Sequence, residues 1–208
     1  MSKKLKIRIN LVFIVAILIV SLVLAIILLN PFNFSRSIEN QLKLENLIDE
    51  NDVVLGNISS NIILIEYSSF DCPACRFFHL NYFDNIEDAI NNNEIAYVLR
   101  LVPLKRSELS IDLIKVAYCS MKLKNSLETV KYIFKNYANI TSIEDIYNAL
   151  EYDVSELKSC VNSIEAENYV KSSYKKLIEN RIEATPTFIL VKDGEIKKIV
   201  GAQPINLN

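Results

Sequence analysis

Phe70-Asp71-Cys72-Pro73-Ala74-Cys75 sits between two patterned stretches that give it a structural context. Before it, Ile62-Ile63-Leu64-Ile65-Glu66-Tyr67 is a short apolar run of the kind that forms a buried strand. After it, Arg76 to Ile90 carries Phe77, Phe78, Leu80, Phe83, Ile86 and Ile90 close to helical spacing, which predicts a helix. Pro73 suits the first turn of that helix, where a missing N–H costs nothing. Cys72 then falls at the helix start and Cys75 one turn further in. Unpaired N–H groups and the helix dipole would favour a thiolate on Cys72. Cys75 would be within reach to close a disulfide or resolve a mixed one. Half a zinc site has the same Cys-x-x-Cys form. The strand before and the helix after favour the redox reading.

The chain is 208 residues long and carries a formal net charge of −2. Residues 1–10 hold Lys3, Lys4, Lys6 and Arg8 and no acid, and Leu11 to Leu29 is a run of 19 residues without charge. At about 1.5 Å per residue such a run spans roughly 28 Å, the thickness of a bilayer core. A signal peptide usually has a shorter apolar core and a small-residue cleavage site, and Asn30-Pro31-Phe32-Asn33-Phe34 follows here instead. The expectation is a cytoplasmic basic tail (1–10), an uncleaved transmembrane signal anchor (11–30) and a juxtamembrane spacer (31–51). Ser37 to Ile48 has helical spacing within that spacer. Basic residues stay in the cytoplasm, which puts the cysteines outside. Without the first ten residues the charge is about −6. A mildly acidic domain with scattered lysines argues against nucleic acid as a partner.

Val53-Leu55, Ile62-Tyr67 and Ile95-Leu104 read as strands, the third ending near Pro103. From Ser107 to Arg181 the pattern is helical, with no Pro or Gly, and predicts four or five helices. Thr141 with Glu144, Asp153 with Glu156, Asn125 with Glu128, and Ser163 look like helix starts. Thr187-Val191 and Glu195-Val200 flank Asp193-Gly194, a hairpin signal.

Glu66 is the odd residue in its strand: either it lies at an exposed end or it is kept buried for a reason. His79 shares a helix face with Cys75. The plainer reading makes it a surface or supporting residue; the functional one has it tune the same proton path as Glu66. Cys119 and Cys160 lie in apolar helical settings and read as two buried thiols, a four-cysteine zinc site or a structural disulfide. In an oxidising compartment the disulfide is preferred.

Val53-Val54-Leu55-Gly56-Asn57, the strand, Cys72-Pro73-x-Cys75 and the distant Ala184-Thr185-Pro186-Thr187-Phe188 together resemble the DsbA-like family of thiol:disulfide oxidoreductases. The resemblance implies an α/β, thioredoxin-like fold with an inserted α-helical subdomain. Residues 52–104 and 183–208 would form the core and 105–182 the insertion, all preceded by the anchor. It implies that Pro186 is cis and, with Thr185, faces the active-site cysteines and substrate. Family members carry an acid six residues before the first cysteine, so the resemblance makes Glu66 a proton partner of Cys75. Some members have cysteines in this part of the insertion, in agreement with a Cys119–Cys160 bond. Pro73 and Ala74, between the cysteines, would tune the site; many oxidases of the family have His where this chain has Ala74, so Ala74 should leave a less oxidising site than theirs. The family's final helix has no room between Gln203 and Asn208. One sheet face is expected to be thinly covered, or covered by Ile38–Ile48, unless the gene product is truncated.

The function these readings imply is a membrane-anchored dithiol oxidase at the bacterial inner membrane, single-pass, with its catalytic domain in the periplasm. It would introduce disulfides into exported cysteine-containing proteins without a cofactor or metal and be regenerated by a membrane redox partner. The same motif can run as a reductase or isomerase. A metal-handling or assembly factor is the alternative from another class, but two methionines and one histidine are a poor ligand supply.

Overall fold

The computed structural model describes residues 15–22, 47–104 and 107–207. The chain divides into two units, Met1–Leu47 and Ile48–Asn208. In the first, residues 15–22 are helical and exposed. The rest of the expected anchor, 11–14 and 23–30, lies outside the described residues, as do the basic tail and spacer residues 31–46. No helix among the described residues is long and apolar enough to cross a membrane.

In the second unit, β1 (Val54–Gly56), β2 (Ile62–Ser68), β3 (Ala96–Leu101), β4 (Thr187–Lys192) and β5 (Glu195–Val200) form one sheet in the order β1-β3-β2-β4-β5. β2 and β3 are parallel, and the other pairs are antiparallel. The parallel pair needs a crossover, supplied by α1 (Pro73–Asn81) and α2 (Asp84–Asn91). The β4–β5 hairpin turns at Asp193 and Gly194, both at positive φ (50° and 79°), as a two-residue turn of the favoured hand requires. Gly56 also has positive φ, and a Cβ there would lie 2.4 Å from the Ile95 carbonyl oxygen. Only glycine fits that approach.

The single helix expected over Arg76–Ile90 is two helices. Phe78 and Phe83, five residues apart, would point about 140° from each other on a continuous helix. Tyr82, at φ −129° and ψ −3°, breaks the rotation, and both phenylalanines are fully buried. β3 ends at Leu101, short of the expected Leu104.

Between β3 and β4 lie α3 (Glu108–Lys124), α4 (Glu128–Asn136), a 3-10 turn (Tyr137–Asn139), α5 (Ile143–Ala149), α6 (Ser155–Val161) and α7 (Ile164–Glu179). Ser163 caps α7 through Ala166 N–H, as expected. The other start signals are displaced. Asn125 ends α3 in a left-handed conformation (φ 50°) rather than beginning α4, an αL position that Asn tolerates. The capping box at α5 is Ser142 with Asp145, one residue on from Thr141 and Glu144. Asp153 accepts from Ser155 N–H at 2.9 Å at the start of α6. Cys119 on α3 and Cys160 on α6 are disulfide-bonded, with Cα atoms 5.9 Å apart.

One core runs from the sheet face bearing Leu64, Tyr97, Leu99 and Phe188, through α1 and α2, into the insertion. Tyr169 of α7 stitches insertion to sheet. β1 pairs with Ala96–Val98, and among the described residues no strand covers the outer edge of β3 from Leu99 onward. The Tyr169 hydroxyl donates to the Leu99 carbonyl (2.7 Å) and accepts from Leu101 N–H (3.2 Å) there. On the opposite face Arg100 is fully buried and bonds Asp52 (2.9 Å from Nε) and the Tyr67 hydroxyl (2.5 Å). Residues 201–207 form no helix.

Candidate active site

Cys72 is the N-cap of α1, with extended backbone (φ −96°, ψ 114°), and Pro73 occupies the first turn. Cys75 N–H donates to Cys72 Sγ at 3.3 Å, so the sulfur takes the place that a capping oxygen usually fills. Both cysteines are buried and reduced, while Pro73 and Ala74 are exposed. The fold brings a distant segment onto the same sulfur. The Thr185–Pro186 peptide bond is cis, and the Cys72 thiol donates to the Thr185 carbonyl at 3.3 Å.

The two sulfurs are driven apart in acidity. The Cys75 thiol, acting as donor, does most to lower Cys72, to about 5; the Thr185 side chain and the N–H groups of Cys75 and Ala74 help, against burial. Burial pushes Cys75 far up, and the neighbouring Cys72 sulfur adds to it. At neutral pH the site therefore holds one thiolate, at the helix start, and one thiol behind it.

Glu66 is fully buried rather than at an exposed strand end. His79 Nε2 lies 2.8 Å from Glu66 Oε1, and the Tyr97 hydroxyl donates to Oε2 at 2.7 Å. His79 is likewise buried, stacked between Phe134 (centroids 3.9 Å apart) and Phe83 (4.6 Å). Its Nδ1 has no hydrogen-bond partner among the described residues. A bare lone pair costs less than an unpaired N–H, which assigns the proton to Nε2. Two donors therefore converge on the Glu66 carboxylate, and the pair meets α1 one turn beyond Cys75. Tyr97 was not anticipated from the sequence. Strand alternation puts it on the face of Leu99, but its pairing with Glu66 follows only from the β2–β3 register. Asp71, Ser110 and Tyr137 were also missed; Asp71 accepts from both hydroxyls, across the boundary with the insertion. Cys119 and Cys160, bonded to each other, are not available as a second ligand pair for Cys72 and Cys75.

A strand, a Cys-Pro-x-Cys helix start and a facing cis-proline now stand together, and a family model described as Thioredoxin matches residues 49–200. The chain belongs to the thioredoxin family. Among solved structures, α-DsbA1 of Wolbachia pipientis superposes with a TM-score of 0.63 at 24% identity, covering 79% of this chain and 89% of that one. BdbD of Bacillus subtilis gives 0.57 at 14% identity, covering 71% and 84%. The resemblance to DsbA-like proteins thus extends to the fold, helical insertion included. A protein of Rickettsia bellii named "Putative protein-disulfide oxidoreductase" is 31% identical over 143 residues, 68% of this chain and 52% of that protein. Its counterpart in Rickettsia prowazekii is 33% identical over 125 residues, 56% of this chain and 45% of that protein. The chain spans about half the length of the curated relatives it matches.

Proposed function

We propose that this chain is a thiol:disulfide oxidoreductase working as a membrane-anchored dithiol oxidase of exported cysteine-containing proteins. The observation that carries the reading is the Cys72 sulfur, capping a helix and facing the cis Thr185–Pro186 bond. The names of the Rickettsia relatives agree with its oxidoreductase part.

In the oxidised protein a substrate thiolate attacks Cys72 Sγ. The Cys72–Cys75 bond breaks, Cys75 leaves as a thiolate and takes up a proton, and a substrate–Cys72 disulfide forms. The substrate's second thiolate then attacks the substrate sulfur of that bond, and Cys72 leaves. The substrate dithiol has lost two electrons and the protein dithiol has gained them. Cys72 is a good leaving group because its thiolate is stabilised. The Glu66–His79 pair, next to the Cys75 turn, is the route by which the proton for Cys75 is held and returned. An oxidised membrane electron acceptor restores the disulfide.

The anchor reading rests on the basic start and the uncharged run Leu11–Leu29, and with them an orientation that leaves Cys72 on the periplasmic side of a bacterial inner membrane. Mass spectrometry of membrane-purified protein should find the N-terminus intact; a start near residues 26–36 overturns the anchor. For the chemistry, Cys75→Ala should trap substrates as lasting mixed disulfides at Cys72, and the wild type should oxidise a reduced two-cysteine peptide stoichiometrically. Failure of both removes the oxidoreductase reading. A dithiol found reduced in the cell would reverse the direction to reductase.

A further inference from the structure

The residue immediately before the nucleophile is an acid, which is unfavourable next to a sulfur that must become an anion. Asp71 and Cys72 have Cα atoms about 3.8 Å apart along the chain. The Asp71 carboxylate is drawn into the insertion: Ser110 of α3, itself buried, donates to Oδ2 at 2.6 Å, and the Tyr137 hydroxyl donates to Oδ1. The Tyr137 phenol is raised to about 12 by burial and by the Asp71 carboxylate, which is what a hydroxyl holding an anion should show.

These bonds belong to a tight seam. The end of α4 and the turn after it also meet the active-site segment at Phe70, whose ring lies 4.7 Å from that of Phe134. Arg76 of α1 donates to the Lys135 carbonyl at 3.0 Å. The insertion therefore grips the Cys-x-x-Cys turn on both sides of Cys72, and Asp71 is the charged member of the grip.

We propose that Asp71 is a positioning residue of the dithiol site, whose charge is held off the Cys72 sulfur by the hydroxyls of Ser110 and Tyr137, so that the helical insertion sets the redox poise of the dithiol. This rests on the dithiol reading above. Two kinds of substitution act in opposite directions. Asp71→Asn removes the charge while its amide still bonds both hydroxyls, so the thiolate becomes easier to form. Tyr137→Phe removes one donor, leaves the carboxylate less satisfied, and makes the thiolate harder to form. The oxidised disulfide carries no charge, so each shift passes directly into the redox equilibrium.

The test uses the full-length chain, with Cys72 ionisation followed by thiolate absorbance and the dithiol equilibrated with glutathione. Asp71→Asn should lower the Cys72 pKa by about half a unit and favour the reduced protein about threefold; Tyr137→Phe should shift both readings the other way. In an Asp71→Asn background, Tyr137→Phe should have no further effect. Should Asp71→Asn fail to fold, Tyr137→Phe alone decides. Shifts of the same sign for both substitutions, or none in either, overturn the proposal. A wild-type protein whose dithiol does not equilibrate with glutathione overturns the oxidoreductase reading instead.

Discussion

At Cys72 two hydrogen bonds of equal length, 3.3 Å, compete for one sulfur. The Thr185 carbonyl can be satisfied only by the protonated thiol, whereas Cys75 N–H favours the thiolate. With Cys72 lowered to about 5 and Cys75 raised, reduction of the disulfide above pH 5 takes up two electrons and one proton, at Cys75. The reduction potential should then fall by about 30 mV per pH unit, steepening to about 59 mV below the break, where both sulfurs take a proton. Glutathione equilibration between pH 4 and pH 8 measures this. A slope of about 59 mV throughout would mean that Cys72 is no thiolate at neutral pH. The importance of Cys72 and Cys75 was legible in the sequence because a strand, a proline and a helix adjoin them. The second bond at Cys72 was legible only through the family resemblance, because its partner is 113 residues away.

At the scale of elements, the insertion reaches the sheet through a hydroxyl. Tyr169 serves both the Leu99 carbonyl and Leu101 N–H, doing what a longer β1 would otherwise do. Tyr169→Phe keeps the ring, which stacks on Tyr118 with centroids 4.3 Å apart, and leaves two buried backbone groups unpaired. We expect a loss of roughly 2–4 kcal/mol, read from denaturant unfolding, with the Cys72 pKa unchanged. A change below about 0.5 kcal/mol would mean that water replaces the hydroxyl. The helices were visible in the sequence as a long stretch without Pro or Gly, but their boundaries were less so. Asn125 carries the residue type of a cap at either end, and only its left-handed backbone marks it as the end of α3. Tyr82 has no breaker character; the break there follows from Phe78 and Phe83 both seeking the core.

For the whole molecule, the Cys119–Cys160 bond closes a loop of sequence separation 41 inside the insertion. Loop closure of that length is worth about 4 kcal/mol if the bond is unstrained. Replacing both cysteines with Ala should lower unfolding free energy by about that amount while Cys72 and Cys75 still exchange with glutathione; a loss under about 1 kcal/mol would show that the α3–α6 packing is sufficient without it. The sequence by itself determined what depends on near neighbours. The strand–Cys-Pro-x-Cys–helix order, the helical character of the insertion and the Asp193-Gly194 hairpin all follow from periodicity, caps and turn chemistry, which act over a few residues. Tertiary structure decided what depends on register and crossover. Glu66 looked the same in the sequence whether exposed or buried. The β2–β3 pairing and the path of α1 brought Tyr97 and His79, 31 and 13 residues away, to its carboxylate. Asp71 likewise acquired its role from Tyr137, 66 residues on. A hydrogen bond requires its partner within about 3 Å, and for residues this far apart along the chain only the packed fold sets that distance.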